Sequence, residues 1–154
     1  MIATKNTFDE VKKIFAEHLE KHGYRKTPER YAVLEEIYSR NDHFDAEELY
    51  VAIKTKRLPI SRATVYNTLE LLVTCDLVKK HQFFNNLAQY EKSYGYRQHD
   101  HLICTECHKV IEFCDPRIEQ TDKMIGDLMQ FNITGHSLMI FGKCKECNEK
   151  AIQS

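Results

Sequence analysis

The sequence has no long apolar run. No stretch approaches the roughly 18 apolar residues that a membrane-spanning helix needs, so no membrane partner is expected. The opening stretch MIATKNTFDEVKK turns acidic and amphipathic where a secretory signal would be apolar, so the expected location is the cytoplasm. Low-complexity segments and internal repeats are also missing. Charge of one sign is not in excess either: the formal net charge is −1, and division after Lys92 leaves both parts close to neutral. Any contact with a polyanion must therefore use local patches. Two are present, KHGYRKTPER with Lys21, Arg25, Lys26 and Arg30, and KTKRLPISR with Lys54, Lys56, Arg57 and Arg62. Alone, such patches read more often as solvated helix ends.

What is present fits a folded chain. With 154 residues, 42% of them hydrophobic and 29% charged, the chain suits one ordinary domain or two small ones. Val11, Ile14, Phe15 and Leu19 recur at helical spacing, and that helix should end near His22-Gly23. Thr27-Pro28 predicts the start of a second helix with Val33, Leu34, Ile37 and Tyr38 on its buried face. Asp45 and Glu48 form a candidate capping box for a third, with Leu49 and Ile53 inward and Pro59 as its stop. Ser61 should cap a fourth, packed through Val65, Leu69, Leu72 and Val73. Beyond Asp76 the period shortens, and two strands flank a predicted turn at Asn85-Asn86. Short helices followed by a hairpin predict a winged helix-turn-helix. In the second half, HDHLIC, KVIEF and HSLMIFGKC read as strands, and Asp115-Pro116 opens a helix carrying Ile118, Ile125, Leu128 and Met129. The expected class is α+β, with a winged-helix domain over residues 1–92 and a small α/β domain over 93–154.

Helix four starts SRATVYNTLELL. Arg62, Thr64, Tyr66 and Asn67 are expected on its outer side, where a recognition helix would meet bases and phosphates in a major groove.

Six cysteines in a reducing compartment argue against a disulfide framework. Four fall in two Cys-x-x-Cys pairs, Cys104/Cys107 and Cys144/Cys147, and two such turns complete the tetrahedral sulfur shell of a structural zinc. A dithiol oxidoreductase would need a helix opening at the cysteines, and strands are expected there instead. Cys75 and Cys114 stand apart.

The densest polar stretch is HDHLICTECHKVIEF. On a strand, His99 and His101 share one face and Asp100 takes the other, so the three cannot readily bind one ion. The histidine pair needs further ligands, for which Glu91, Glu112 and His43 are candidates. A shell of nitrogen and oxygen suits ferrous iron, manganese or zinc.

Together TPER, HFDAEELY, SRATVYNTLELL, HDHLICTECHKVIEF and HSLMIFGKCKEC resemble blocks of the ferric uptake regulator (Fur) family of bacterial metal-responsive repressors, in order and over nearly the whole chain. The resemblance implies a homodimer in which the second domain is the dimerisation domain. It implies structural Zn2+ on Cys104, Cys107, Cys144 and Cys147. It assigns His43, Glu91, His99, His101 and Glu112 to a regulatory site for Fe2+, with Mn2+ or Zn2+ as alternatives, and Asp100, Glu119 and His136 to an additional metal site. Arg25 and Tyr66 match family positions that contact a double-stranded DNA operator, with Arg62, Thr64 and Asn67 alongside. The implied function is repression of metal-uptake genes, most simply in response to ferrous iron, without enzymatic activity. Zinc-responsive and peroxide-sensing members are the alternatives. A zinc hydrolase built on His99 and His101 is the competing class, lacking a substrate-orienting motif. The chain departs from the family in three places. Gln98 stands where iron regulators often have histidine, Asn67 where some members have arginine, and no histidine-rich tail follows Cys147.

Overall fold

In the computed structural model, residues 5–84, 87–95 and 97–152 are described. The expected turn at Asn85-Asn86 lies outside them. The chain divides into two compact units, residues 1–96 and 97–154.

Helix α1 (Lys5–Lys21) buries Val11, Phe15 and Leu19, one residue per turn on one face. Gly23 then takes φ +71°, and Tyr24 N donates to Leu19 O at 2.8 Å, closing the helix with a left-handed residue. Helix α2 (Pro28–Ser39) starts where Thr27 accepts a hydrogen bond from Arg30 N, and it buries Val33, Leu34, Ile37 and Tyr38. Helix α3 (Ala46–Thr55) has the full capping box. Glu48 N donates to Asp45 Oδ1 at 2.7 Å and Asp45 N donates to Glu48 Oε2 at 2.8 Å. Its C-cap is Lys56, so it stops before Pro59. Helix α4 (Arg62–Thr74) is capped by Ser61 and turns Val65, Thr68, Leu69 and Leu72 inward.

Strands β1 (Val78–Phe84) and β2 (Leu87–Lys92) form an antiparallel pair with Val78 opposite Lys92. Phe44 makes one extra bridge to Tyr90, with both backbone hydrogen bonds present at 2.8 and 3.0 Å. That bridge ties the segment before α3 to the wing, and Phe44 and Tyr90 stack inside the core.

The second unit contains β3 (Asp100–Cys104), β4 (Val110–Phe113), helix α5 (Pro116–Met129), β5 (Met139–Gly142) and helix α6 (Lys145–Ile152). The sheet order is β4-β3-β5, with β3 antiparallel to β4 and parallel to β5. Helix α6 corrects the expectation from sequence, because the last cysteine pair sits at a helix start rather than in extended chain. Helix α5 leaves Ile125, Leu128 and Met129 exposed, Leu128 at 81%. Among the described residues, no helix is long and apolar enough to cross a membrane. The architecture is α+β.

Candidate metal centres and nucleic-acid face

The parallel pairing of β3 and β5 sets Cys104 opposite Gly142, so the turn after β3 and the start of α6 converge. One sulfur from each of Cys104, Cys107, Cys144 and Cys147 lies within 4.8 Å of all the others. Cys107 Sγ and Cys144 Sγ are 3.8 Å apart. The sulfurs of a zinc tetrathiolate with Zn–S near 2.3 Å stand about 3.8 Å apart, which matches the Cys107–Cys144 separation. Backbone N–H groups of Cys107 and Cys144 point at the Cys104 sulfur, Cys144 N at 3.3 Å, and lower its thiol pKa to about 6. Hydrogen bonds with Cys144 and Cys107 hold the Cys147 thiol up at about 12. The Cys104 thiol is thus ready to ionise, while Cys147 holds a proton that a dication would displace. Because α6 opens between Cys144 and Cys147, the absence of a helix no longer argues against dithiol chemistry. The four-sulfur convergence does.

In the first unit, the Phe44–Tyr90 bridge makes His43 and Glu91 neighbours. The Glu91 side chain is 6% exposed. His43 Nε2 lies 3.3 Å from its Oε2, and His81 Nε2 lies 2.7 Å from its Oε1. Phe83 stacks on the His81 ring, 5.2 Å between centroids at 8°, and meets the His43 ring edge-on at 5.7 Å. His81 was missed from sequence. Its signal was the alternation of His81 and Phe83 on one strand face, opposite the run that contains Glu91.

In the second unit, His99 directly precedes β3, and His101 stands opposite Glu112 on β4. The His99 and His101 rings are 4.9 Å apart, and His99 Nε2 is 3.8 Å from Glu112 Oε1. Asp100 belongs to a different group: His136 Nε2 is 3.0 Å from its Oδ1, and Leu138 N donates to that same oxygen at 3.3 Å. The other imidazole nitrogen, Nδ1, contacts Asp122 Oδ2 at 2.5 Å. Burial disfavours charge on His136, but the hydrogen bonds and charges of Asp100 and Asp122 outweigh it and raise the pKa. Asp122 was also missed, and it stands one turn beyond Glu119 on α5. Glu119 and Gln98 line the adjoining cleft, where Gln98 Nε2 donates to the His136 carbonyl at 2.8 Å.

On the proposed DNA face, Tyr66 and Asn67 are exposed. Thr64 is only half-buried, not free on the surface as expected. Its hydroxyl meets Ser61 Oγ at 2.9 Å, and its N–H donates to the same atom at 3.1 Å. Arg62 lies over the Tyr50 ring at 4.5 Å and pairs with Glu47, so a phosphate would have to compete for it. Arg25 lines one groove with Arg30, Ser61 and Thr64, where the loop after α1 meets the starts of α2 and α4.

The ferric uptake regulator family model matches residues 21–141. The chain belongs to the ferric uptake regulator family. It is 32% identical over 132 residues to the peroxide-responsive repressor PerR of Staphylococcus epidermidis, covering 86% of this chain and 87% of that one. Its structure is similar to the Helicobacter pylori ferric uptake regulator Fur, described as having three functional metal binding sites. That similarity has a TM-score of 0.80 at 27% identity and covers 92% of this chain and 94% of that one. The manganese-bound ferric uptake regulator of Pseudomonas aeruginosa gives 0.74 at 30% identity, covering 84% and 97%. Membership of the Fur family agrees with the resemblance seen in sequence, and these neighbours share the α+β fold.

Proposed function

We propose that this Fur-family protein is a homodimeric, metal-responsive repressor that binds a double-stranded DNA operator through α4 and carries no enzymatic activity. The observation that carries the reading is the incomplete ligand set on each unit. His43 and Glu91 belong to the winged-helix unit; His99, His101 and Glu112 belong to the other. Neither group by itself completes the coordination shell of a divalent ion, and the two together supply five donors. When bound, the metal supplies the attraction that favours the arrangement in which both groups can reach it. Residues on both units then couple occupancy to the presentation of Tyr66, Asn67 and Arg25 to DNA, and metal scarcity releases the operator. Cys104, Cys107, Cys144 and Cys147 would hold a separate structural zinc, closed to substrate by its four sulfurs. Asp100 and His136 would form the additional site, with Glu119 at its margin.

An apolar rung supports the dimer. Ile111, Leu102 and Ile140 stand in register across β4, β3 and β5, and are 44%, 41% and 43% exposed. Three adjacent apolar side chains on a sheet face suit a matching copy.

Ferrous iron is the inducer we favour, since imidazole and carboxylate donors lack the sulfur that would bias the site to zinc. The test uses a duplex selected from random sequences by metal-loaded protein, titrated with iron, manganese and zinc. Wild type should gain affinity with iron. His99→Ala should keep its structural zinc and dimer but lose the metal response, and a variant that responded like wild type would sink the reading. Similarity to PerR favours a second reading, peroxide response through the same site. It requires hydrogen peroxide to release the duplex from iron-loaded protein and leave manganese-loaded protein bound.

A further inference from the structure

The winged-helix unit carries one more donor than the proposed regulatory set uses. His81 approaches Oε1 of Glu91 and His43 approaches Oε2, at 2.7 and 3.3 Å. With metal–ligand bonds of about 2.1 Å, donor atoms on adjacent vertices of a coordination shell stand about 3.0–3.4 Å apart, close to both separations. The ring centroids of His43 and His81 are 6.0 Å apart, compatible with two imidazoles turned to one point. Phe83 packs on both rings and fixes their orientation, and the carboxylate between them is nine-tenths buried. This is a packed group of two imidazoles and one carboxylate with an aromatic wall, contained in residues 43–91. Two histidines and one carboxylate with positions left open suit a first-row divalent ion such as Fe2+ or Zn2+.

We propose that His43, His81 and Glu91 form a metal-capture triad of the winged-helix unit, which binds the divalent ion first and leaves open positions for His99, His101 and Glu112. The proposal rests on the metal-responsive reading above and gives it an order: capture on the wing, then recruitment of the second unit. His81 is then a ligand of the capturing state. The histidines hold the carboxylate when no ion is present.

Cobalt(II) titration of the full chain, with the cysteine cluster kept loaded with zinc, tests this. A cobalt ion on nitrogen and oxygen gives visible d–d absorption without sulfur-to-metal charge transfer, so exchange into the thiol cluster is recognised. In a His136→Ala background, which removes the additional site, His99→Ala/His101→Ala should still take one cobalt per chain while showing no metal-dependent binding to the selected duplex. Adding His81→Ala should weaken that cobalt affinity by more than about tenfold. His81→Gln, whose amide can still donate to Glu91, should be as weak as His81→Ala. The proposal is overturned if the double variant takes no cobalt, if His81→Ala leaves the affinity unchanged, or if glutamine restores it, since His81 would then only position Glu91. Failure of the parent reading looks different: wild-type protein would bind the duplex regardless of metal, with the cobalt titration still readable.

Discussion

The two units solve the problem of burial in opposite ways. The winged-helix unit encloses a continuous apolar cluster from Val11 through Leu34, Leu49 and Leu69 to Tyr90, with its members essentially free of solvent. In the second unit, Ile103 and Cys104 are the buried hydrophobic residues among those described, while Met124, Leu128 and Phe131 are more than two-thirds exposed. Burial of apolar surface is the main stabilising term in folding. The first unit obtains it within one chain. The second has no such core, and in the function proposed above an ion in the thiol cluster and a second copy of its own surface would supply what it lacks. The reading of the cysteines as a structural centre therefore follows from what the sheet lacks as well as from their spacing.

Removing a sulfur should break this contrast most severely. Structural zinc contributes on the order of 10–16 kcal/mol of apparent binding energy in small metal-dependent folds. Cys144→Ser should lose tightly held zinc and abolish amide-exchange protection in β3 and β5, leaving protection in α2 and α4 intact. Persistent protection of β3 would show that the second unit has a sufficient core of its own. The converse change is Leu69→Ala, at a residue 1% exposed, which should cost the winged-helix unit roughly 2–5 kcal/mol. Urea unfolding followed by a probe in that unit should show the loss, with zinc stoichiometry unchanged. The smallest effect sharpens the contrast: Leu102→Asp should weaken dimerisation by about 2 kcal/mol, roughly thirtyfold in Kd, without altering the unfolding of a monomer. Analytical ultracentrifugation reads the first quantity and urea the second. An unchanged dimer would place the interface away from the apolar rung.

Most of the first unit was legible because its signals are local. Thr27, Asp45 and Ser61 cap helices within three residues of themselves, and the apolar buried positions of α2 follow from periodicity, though the buried Glu36 does not. The cysteine grouping was legible for the same reason, since each pair sits on one turn. What escaped notice depends on distance along the chain. His81 acquires meaning only when a bridge from Phe44 to Tyr90 brings His43 to the wing. Asp122 emerges only when the segment before β5 folds His136 back toward α5. Helix α6 was missed because Lys145–Ile152 is short and polar outward, with no apolar stripe to announce it. Thr64 was misjudged because a residue three beyond a serine cap serves the cap before it serves the surface.

The parallel pairing of β3 with β5 also sets an order in time. Joining His101 to Met139 closes a loop of about 40 residues, and contacts so distant in sequence form late because chain entropy must be given up before they return any stability. The winged-helix unit also needs a distant contact, the Phe44–Tyr90 bridge, but both of its partners precede β3 in the chain. A chain emerging from the ribosome can therefore complete its DNA-reading half while the other half still lacks its third strand. During that interval Cys104 and Cys107 are an open pair of thiols, waiting for the two cysteines at the start of α6.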